Sequence, residues 1–242
     1  MEKAKSKKSQ PVFEPIKYED YKKEEGILEI YKNHDWNSIV PLILDAVDHT
    51  KNKDKSYGNY PYFRTKTKSD FIPKLNVPSE ILSSFQLKEL YEFLPDSHQY
   101  SDLYRVFSMS VDGCALKTFY NKCQDINNSI LVIKDDDDNI FGAYASECFE
   151  PTKNFSGTGE CFLFTFFKGN KIHVFNSTGI NRFFMYYDDE QICFGCSDDY
   201  FSLSLRNDFY EGYTKTTQTY QNLPLSSKDT FIIVKLELWA FS

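Results

Sequence analysis

Residues 129–160 read SILVIKDDDDNIFGAYASECFEPTKNFSGTGE and lead directly into a second apolar run, CFLFTFF, at 161–167. Short runs of Ile, Val, Phe and Tyr lie on either side of the acidic stretch Asp135–Asp138, and such runs bounded by Asp, Asn and Gly predict β-strands. Cys161–Phe167 is apolar on both faces, which predicts a central strand. This part of the chain therefore predicts a β-rich fold.

The same pattern recurs along the rest of the chain. Alternation of apolar and polar residues in Phe201–Arg206 predicts a strand with one solvent-exposed face. Helices are predicted at Ser79–Leu94, which Pro95 ends, and at Cys114–Cys123. Many strands with few helices pack most simply as two sheets. The other predicted strands are Leu103–Met109, Ile130–Lys134, Ile140–Ser146, Lys171–Asn176, Arg182–Tyr187 and Phe231–Phe241.

The order and spacing of these segments resemble the TLDc domain of the oxidation-resistance family. The resemblance begins at Pro78 with PSEILSSFQLKELYEFL, continues through FGAYASE and GTGE, and ends with FIIVKLELWAFS at Ser242. It implies a mainly β (α+β) fold, a two-sheet antiparallel β-sandwich with peripheral helices. It also implies structural or interface roles for the residues that match the family motifs, which are Gly142, Glu147, Gly157, Gly159, Glu160 and Trp239.

Residues 1–77 are predicted to be an extension of the domain at 78–242, because they carry only ten of the 41 aromatic residues. Within this extension, residues 1–16 are predicted to be disordered and 51–74 to be a basic loop or linker. Residues 39–48 predict a short amphipathic helix. The N-terminal extension is therefore predicted to be partly helical.

Charge divides at the same place, with a net +3 before Pro78 and a net −10 from Pro78 to Ser242. An acidic body repels nucleic-acid phosphate and anionic membranes, so we expect protein partners with basic surfaces and no nucleic acid. No apolar run approaches the roughly 18 residues of a membrane span, and no signal peptide is evident. We therefore expect a cytoplasmic protein without membrane insertion, in which the six cysteines stay reduced.

Cys193-Phe-Gly-Cys196 has the spacing of redox and zinc sites. A second C-x-x-C and paired histidines are missing, and the motif is predicted to follow a strand and enter a turn. The acidic residues on both sides favour the neutral thiol. We interpret this motif as structural, and a thiol-based peroxide scavenger remains an alternative.

Gly157-Thr-Gly159-Glu160 begins like a dinucleotide fingerprint, but a strand follows it instead of a helix, so a tight turn with positive φ is predicted. Glu147 and Glu160 allow two interpretations: an acid and base pair, or carboxylates that accept backbone amides and fix a loop. Asp135–Asp138 lacks the EF-hand spacing and predicts a solvated hairpin turn. No metal, cofactor or catalytic residue is predicted.

The resemblance implies a function that these residues alone do not specify. TLDc proteins associate with the vacuolar-type proton ATPase, contact its peripheral stalk and catalytic head, regulate it, and are linked to oxidative-stress resistance. We therefore expect a non-catalytic binding module that is recruited to organelle membranes bearing this pump. The alternatives are a scaffold protein of a cytoskeletal, ciliary or trafficking assembly and the peroxide scavenger.

Overall fold

The computed structural model describes residues 71–166, 171–198 and 200–242. The predictions for residues 1–16 and 39–48, and most of the linker at 51–74, lie outside these ranges. Within them the chain forms three helices, α1 (Ser84–Tyr91), α2 (Met109–Asp112) and α3 (Leu116–Cys123). The strands are β1 (Leu103–Ser108), β2 (Ser129–Asp135), β3 (Ile140–Ala145), β4 (Phe155–Ser156), β5 (Phe162–Phe166), β6 (Ile172–Asn176), β7 (Met185–Tyr187), β8 (Gln191–Ser197), β9 (Tyr200–Arg206), β10 (Glu211–Thr214) and β11 (Thr230–Phe241).

The strands form two antiparallel sheets that share β11. The first sheet has the order β1-β11-β2-β3-β5-β6, and the second has the order β4-β7-β8-β9-β10-β11. The first residues of β11 pair with β10, and from Ile233 onward it pairs with β2, with a register shift between Ile233 and Lys235. The architecture confirms the predicted mainly β sandwich with peripheral helices.

The core lies between the sheets, and a second apolar cluster lies between the first sheet and α1. Leu131 and Ile133 of β2 belong to the core, whereas Ile130 and Val132 belong to the cluster with Leu87 and Leu90. Because α1 covers the outer face of the first sheet, β2 is apolar at both alternating sets of positions. In the core, Phe119 packs edge-on against Phe107, Phe149 and Phe209, with ring centroids 5.2 to 5.5 Å apart.

Helix α1 is shorter than the predicted Ser79–Leu94. It begins after Ser83, whose hydroxyl accepts the amide of Gln86 at 3.2 Å while the Gln86 side chain accepts the amide of Ser83 at 3.0 Å. This reciprocal capping box fixes the first turn. Ser79 and Glu80 instead contact β11 through Glu237.

Two solvation predictions are wrong. Ser202 and Ser204 are buried, and both hydroxyls have hydrogen-bond partners. The Ser202 hydroxyl lies 2.6 Å from that of Thr217, and the Ser204 hydroxyl donates to Gln191 at 3.2 Å. Asp135 is also buried: its carboxylate accepts the Ser226 hydroxyl at 2.6 Å and the amide of Asn139 at 2.8 Å. Only residues 136–138 of the acidic run are exposed.

Candidate functional site

The family-like segments FGAYASE and GTGE meet in one loop region, because β3 and β5 pair directly. The Ser146 hydroxyl accepts the amide of Thr158 at 2.9 Å, and Glu147 Oε2 accepts the amide of Gly157 at 3.0 Å. Cys161, at the end of the turn, donates its amide to the Thr158 carbonyl at 3.0 Å. The loop after β3 and the loop before β5 therefore hold each other in place.

Glu147 and Glu160 act on different neighbours. Glu147 binds the backbone of the loop, as the loop-fixing interpretation predicts, and its charge helps raise the pKa of the Cys161 thiol, which burial raises first. The Glu160 side chain is exposed and acts on His98, whose pKa is lowered by burial against the opposing effect of this carboxylate. No described hydrogen bond joins the two glutamates, so the geometry offers no support for an acid and base pair.

The positive-φ prediction applies to one of the two turn glycines. Gly157 has φ +87°, and a Cβ there would lie 3.0 Å from Cys161 Sγ and 3.1 Å from Met185 Sδ. Gly159 is not among the positive-φ residues, and a Cβ there would meet no atom within 4 Å. The prediction is therefore wrong for Gly159.

We expect Gly157→Ala to lower the free energy of unfolding by about 1–2 kcal/mol, because an L-residue is strained in this conformation and its methyl group is crowded. Gly159→Ala is expected to change it by less than about 0.5 kcal/mol. Urea unfolding of the two variants measures the difference. A larger loss for Gly159→Ala than for Gly157→Ala would contradict the assignment.

Gly142 and Trp239 are structural. A Cβ on Gly142 would lie 1.9 Å from the carbonyl oxygen of Leu131 in the neighbouring strand β2, so only glycine fits there. Trp239 is 1% exposed, and its indole nitrogen donates to Glu237 Oε2 at 3.1 Å. Burial places Trp239 in the apolar cluster between the first sheet and α1 and not at an interface.

Glu237 was not predicted to be important, yet it holds a buried polar network. It is 1% exposed, and Oε1 accepts the amide of Glu80 at 2.9 Å and Arg105 Nη1 at 3.0 Å. Oε2 accepts the Ser79 hydroxyl at 2.6 Å as well as the Trp239 indole. An acidic residue in the otherwise apolar run LELWAF is the sequence signal for such a site, because a buried carboxylate requires partners.

The C-x-x-C motif lies within β8, not after a strand as predicted. Gly195, with φ +63°, separates the two cysteines. Cys193 is completely buried, and its thiol donates to the Ser204 hydroxyl at 3.4 Å. Burial raises the pKa of Cys193 to about 12, with a further contribution from Asp188. This thiol is therefore protonated at neutral pH and is a poor nucleophile.

All six cysteines are free thiols, and only Cys114 is exposed. We expect Cys114→Ser to remove the fast phase of native-state reaction with a disulfide reagent at pH 7.5, and Cys193→Ser to leave that phase unchanged, since reaction requires access and a thiolate.

We also expect the double variant Cys193→Ser with Cys196→Ser to consume peroxide no more slowly than the wild type in the presence of a thiol reductant. Multiple turnover that disappears in the double variant would refute this.

The described ranges contain neither a metal-binding cluster nor a membrane-spanning helix. No group of three or more His, Cys, Asp or Glu side chains among residues 71–166, 171–198 and 200–242 is arranged to hold a metal ion. In the same part of the chain, every helix is too short or too polar to cross a bilayer.

Comparison with known proteins identifies relatives of this chain. The chain is 40% identical over 172 residues to "Oxidation resistance protein 1" of Xenopus tropicalis and 38% identical over 172 residues to the protein of that name from Homo sapiens, covering 71% of this chain and 20% of each relative. It is 36% identical over 173 residues to "Nuclear receptor coactivator 7" of Homo sapiens, covering 71% of this chain and 18% of that protein. The chain thus matches about a fifth of the length of these relatives. Residues 75–242 match the TLDc domain, and the chain therefore belongs to the TLDc family of oxidation-resistance proteins.

Proposed function

We propose that this chain is a non-catalytic TLDc binding module that associates with the vacuolar-type proton ATPase at its peripheral stalk and catalytic head, and regulates it. The observation that carries the proposal is that the family-motif residues have structural roles. Gly142 allows two strands to approach, Glu147 and Gly157 fix a loop, and Trp239 packs in the apolar cluster under α1. These residues stabilise the fold, and none of them forms a nucleophile and base pair.

Charge supports a protein partner with basic surfaces. Residues 78–242 carry a net charge of −10, and the carboxylates of Asp189 and Asp138 are largely exposed. Long-range attraction of this kind accelerates association and weakens as salt screens it, with a Debye length of about 8 Å at physiological ionic strength. Binding to the pump is therefore expected to weaken as salt is raised.

In this proposal, the protein contributes to oxidative-stress resistance by regulating the proton pump. Two relatives are named for oxidation resistance, and the buried, protonated Cys193 of this chain is unsuited to reducing peroxide. Regulation of proton pumping changes the pH of organelles and requires no chemistry at these thiols. We accordingly propose that the protein is cytoplasmic and is recruited to organelle membranes that bear the pump.

Co-purification tests the proposal. The tagged full chain, expressed in cells and isolated in mild detergent at about 50 mM salt, is expected to retain subunits of the proton ATPase stalk and head and to release most of them at about 500 mM salt. A parallel assay follows pump-specific ATP hydrolysis as purified protein is added. Failure to capture any pump subunit at low salt would refute the proposal. If residues 1–70 alone capture the pump subunits as well as the full chain does, the scaffold alternative is favoured.

A further inference from the structure

Four aromatic side chains form a continuous surface on the second sheet. They are Phe155 of β4, Phe183 before β7, Tyr186 of β7 and Phe201 of β9. The ring centroids of Phe155 and Phe183 are 4.5 Å apart, those of Phe155 and Tyr186 are 5.4 Å apart, and Tyr186 stacks on Phe201 at 5.7 Å. We refer to these four residues as the aromatic strip.

The strip lies on the outer face of its sheet. Met185 and Tyr187 are buried in the core between the sheets, so Tyr186 between them points away from it. Phe155 is the direct partner of Tyr186 across β4 and β7 and lies beside it on the same face. No described helix covers this face, in contrast to the first sheet under α1.

The strip is exposed enough to bind a partner. Phe155 is 38% exposed and Phe183 is 42% exposed, and their rings contact each other. Exposed apolar residues that occur singly are ordinary, whereas contiguous apolar groups with a polar rim mark interaction sites. Aromatic residues are also the type most enriched at the energetic centres of protein interfaces.

The surface beside Tyr186 is acidic. The Tyr186 hydroxyl donates to Asp188 Oδ2 at 3.1 Å, and Asp188, Asp189 and Glu190 form the turn into β8. Asp189 pairs with Lys153 at 3.6 Å, but both side chains are more than 60% exposed, so this pair is weak and easily exchanged. Arg182 precedes Phe183 in the sequence and is exposed. The rings therefore lead toward a group of carboxylates.

A cation already occupies an aromatic ring in the same sheet. Lys215 Nζ lies 4.9 Å from the ring centroid of Tyr200, the neighbour of Phe201. Aromatic faces attract cations electrostatically, and arginine does this best because its planar guanidinium stacks on a ring while its N–H groups remain free to donate. A guanidinium on the exposed ring of Phe155, which contacts Tyr186, would bring these donors toward the Asp188 carboxylate.

We propose that the aromatic strip is the docking surface for an arginine-bearing segment of a partner protein, and this inference rests on the proposed function as a binding module. Net charge disfavours the two other occupants. A second copy would bring together two bodies that each carry a net −10 over residues 78–242, and an anionic membrane would meet the same negative charge, so both arrangements are repulsive. An arginine-bearing segment supplies the apolar contact and the opposite charge together.

The test uses the isotope-labelled full chain and three nine-residue peptides in which glycine alternates with arginine, lysine or glutamate. Amide shifts on adding the arginine peptide are expected at residues 155, 183, 186, 201 and 188–190, with weaker binding of the lysine peptide and none of the glutamate peptide. Phe155→Ser with Phe183→Ser is expected to weaken arginine-peptide binding about tenfold. Phe85→Ser with Tyr100→Ser, which removes aromatic residues that are 53% and 70% exposed elsewhere, is the matched control and should bind normally.

Because the double variant changes packing at a sheet edge, Glu190→Gln provides a milder variant that keeps every ring and is expected to weaken binding severalfold. Equal affinity of the wild type and both strip variants, or shifts confined to another face, would overturn the inference. The inference would also be overturned if the only effect of the strip variants were loss of a dimer or loss of binding to anionic vesicles. If the pump is captured equally well by the strip variants, the inference fails and the proposed function stands. If peptides bind the strip and no pump is captured, the proposed function alone fails.

Discussion

Replacing Gly142 with alanine is expected to lower the free energy of unfolding by about 4 kcal/mol or more, which is a large part of the total stability of an ordinary domain. The new methyl group would lie 1.9 Å from the Leu131 carbonyl oxygen and 2.9 Å from Cζ of Phe164. β3 cannot move away, because it is paired to β2 on one side and β5 on the other. Circular dichroism during heating, together with the soluble yield of the variant, measures the effect.

Gly159→Ala is the matched control, since the same methyl group meets no atom within 4 Å there. If Gly142→Ala unfolds within a few degrees of the wild type, then β2 and β3 separate more easily than the geometry indicates. The close approach of these two strands would then have no role in stability.

Replacing Glu237 with alanine is expected to cost about 3–5 kcal/mol, because removing one partner of a buried ion pair leaves the other uncompensated. Arg105, whose side chain is 14% exposed, would keep only the Glu80 carboxylate, at 3.3 Å. The indole of Trp239 and the hydroxyl of Ser79 would also lose their acceptor. Urea unfolding followed by circular dichroism measures the loss.

Glu211→Ala is the control, because its ion pair with Arg206 is exposed and is expected to contribute no more than about 1 kcal/mol. The double variant Glu237→Leu with Arg105→Met removes both charges and should be more stable than Glu237→Ala, since buried ion pairs exchange well for apolar groups. Equal stability of Glu237→Ala and Glu211→Ala would show that the network adds nothing.

The strands that sequence predicts well are those rich in β-branched, aromatic and leucine residues. The predicted strands Ile130–Lys134 and Phe231–Phe241 agree with β2 and β11 to within one residue at each end, because such residues predominate in both. β8 and β10 were missed, since Gly195 in β8 and Gly212 in β10 interrupt the pattern. Ser204 was expected to be exposed, and its burial beneath Gln191 depends on a neighbouring strand that the sequence pattern did not reveal.

The residues that shape the site were predicted less well than the fold. The motif resemblance identified Gly142, but the contact of its backbone with Leu131 depends on strand register, which sequence spacing does not supply. Glu237 was missed because its partners Ser79 and Arg105 are 158 and 132 residues away along the chain. Polar networks between distant segments become visible only when the chain is folded.

The position of β11 has a consequence for protein synthesis. This strand joins both sheets and pairs with β1, β2 and β10, yet it leaves the ribosome after all of them. Until it arrives, the strand edges of β2 and β10 have no partner, and such edges promote aggregation. The sandwich therefore cannot close during translation of the preceding strands, and nascent chains paused before Thr230 should depend on chaperones to stay soluble.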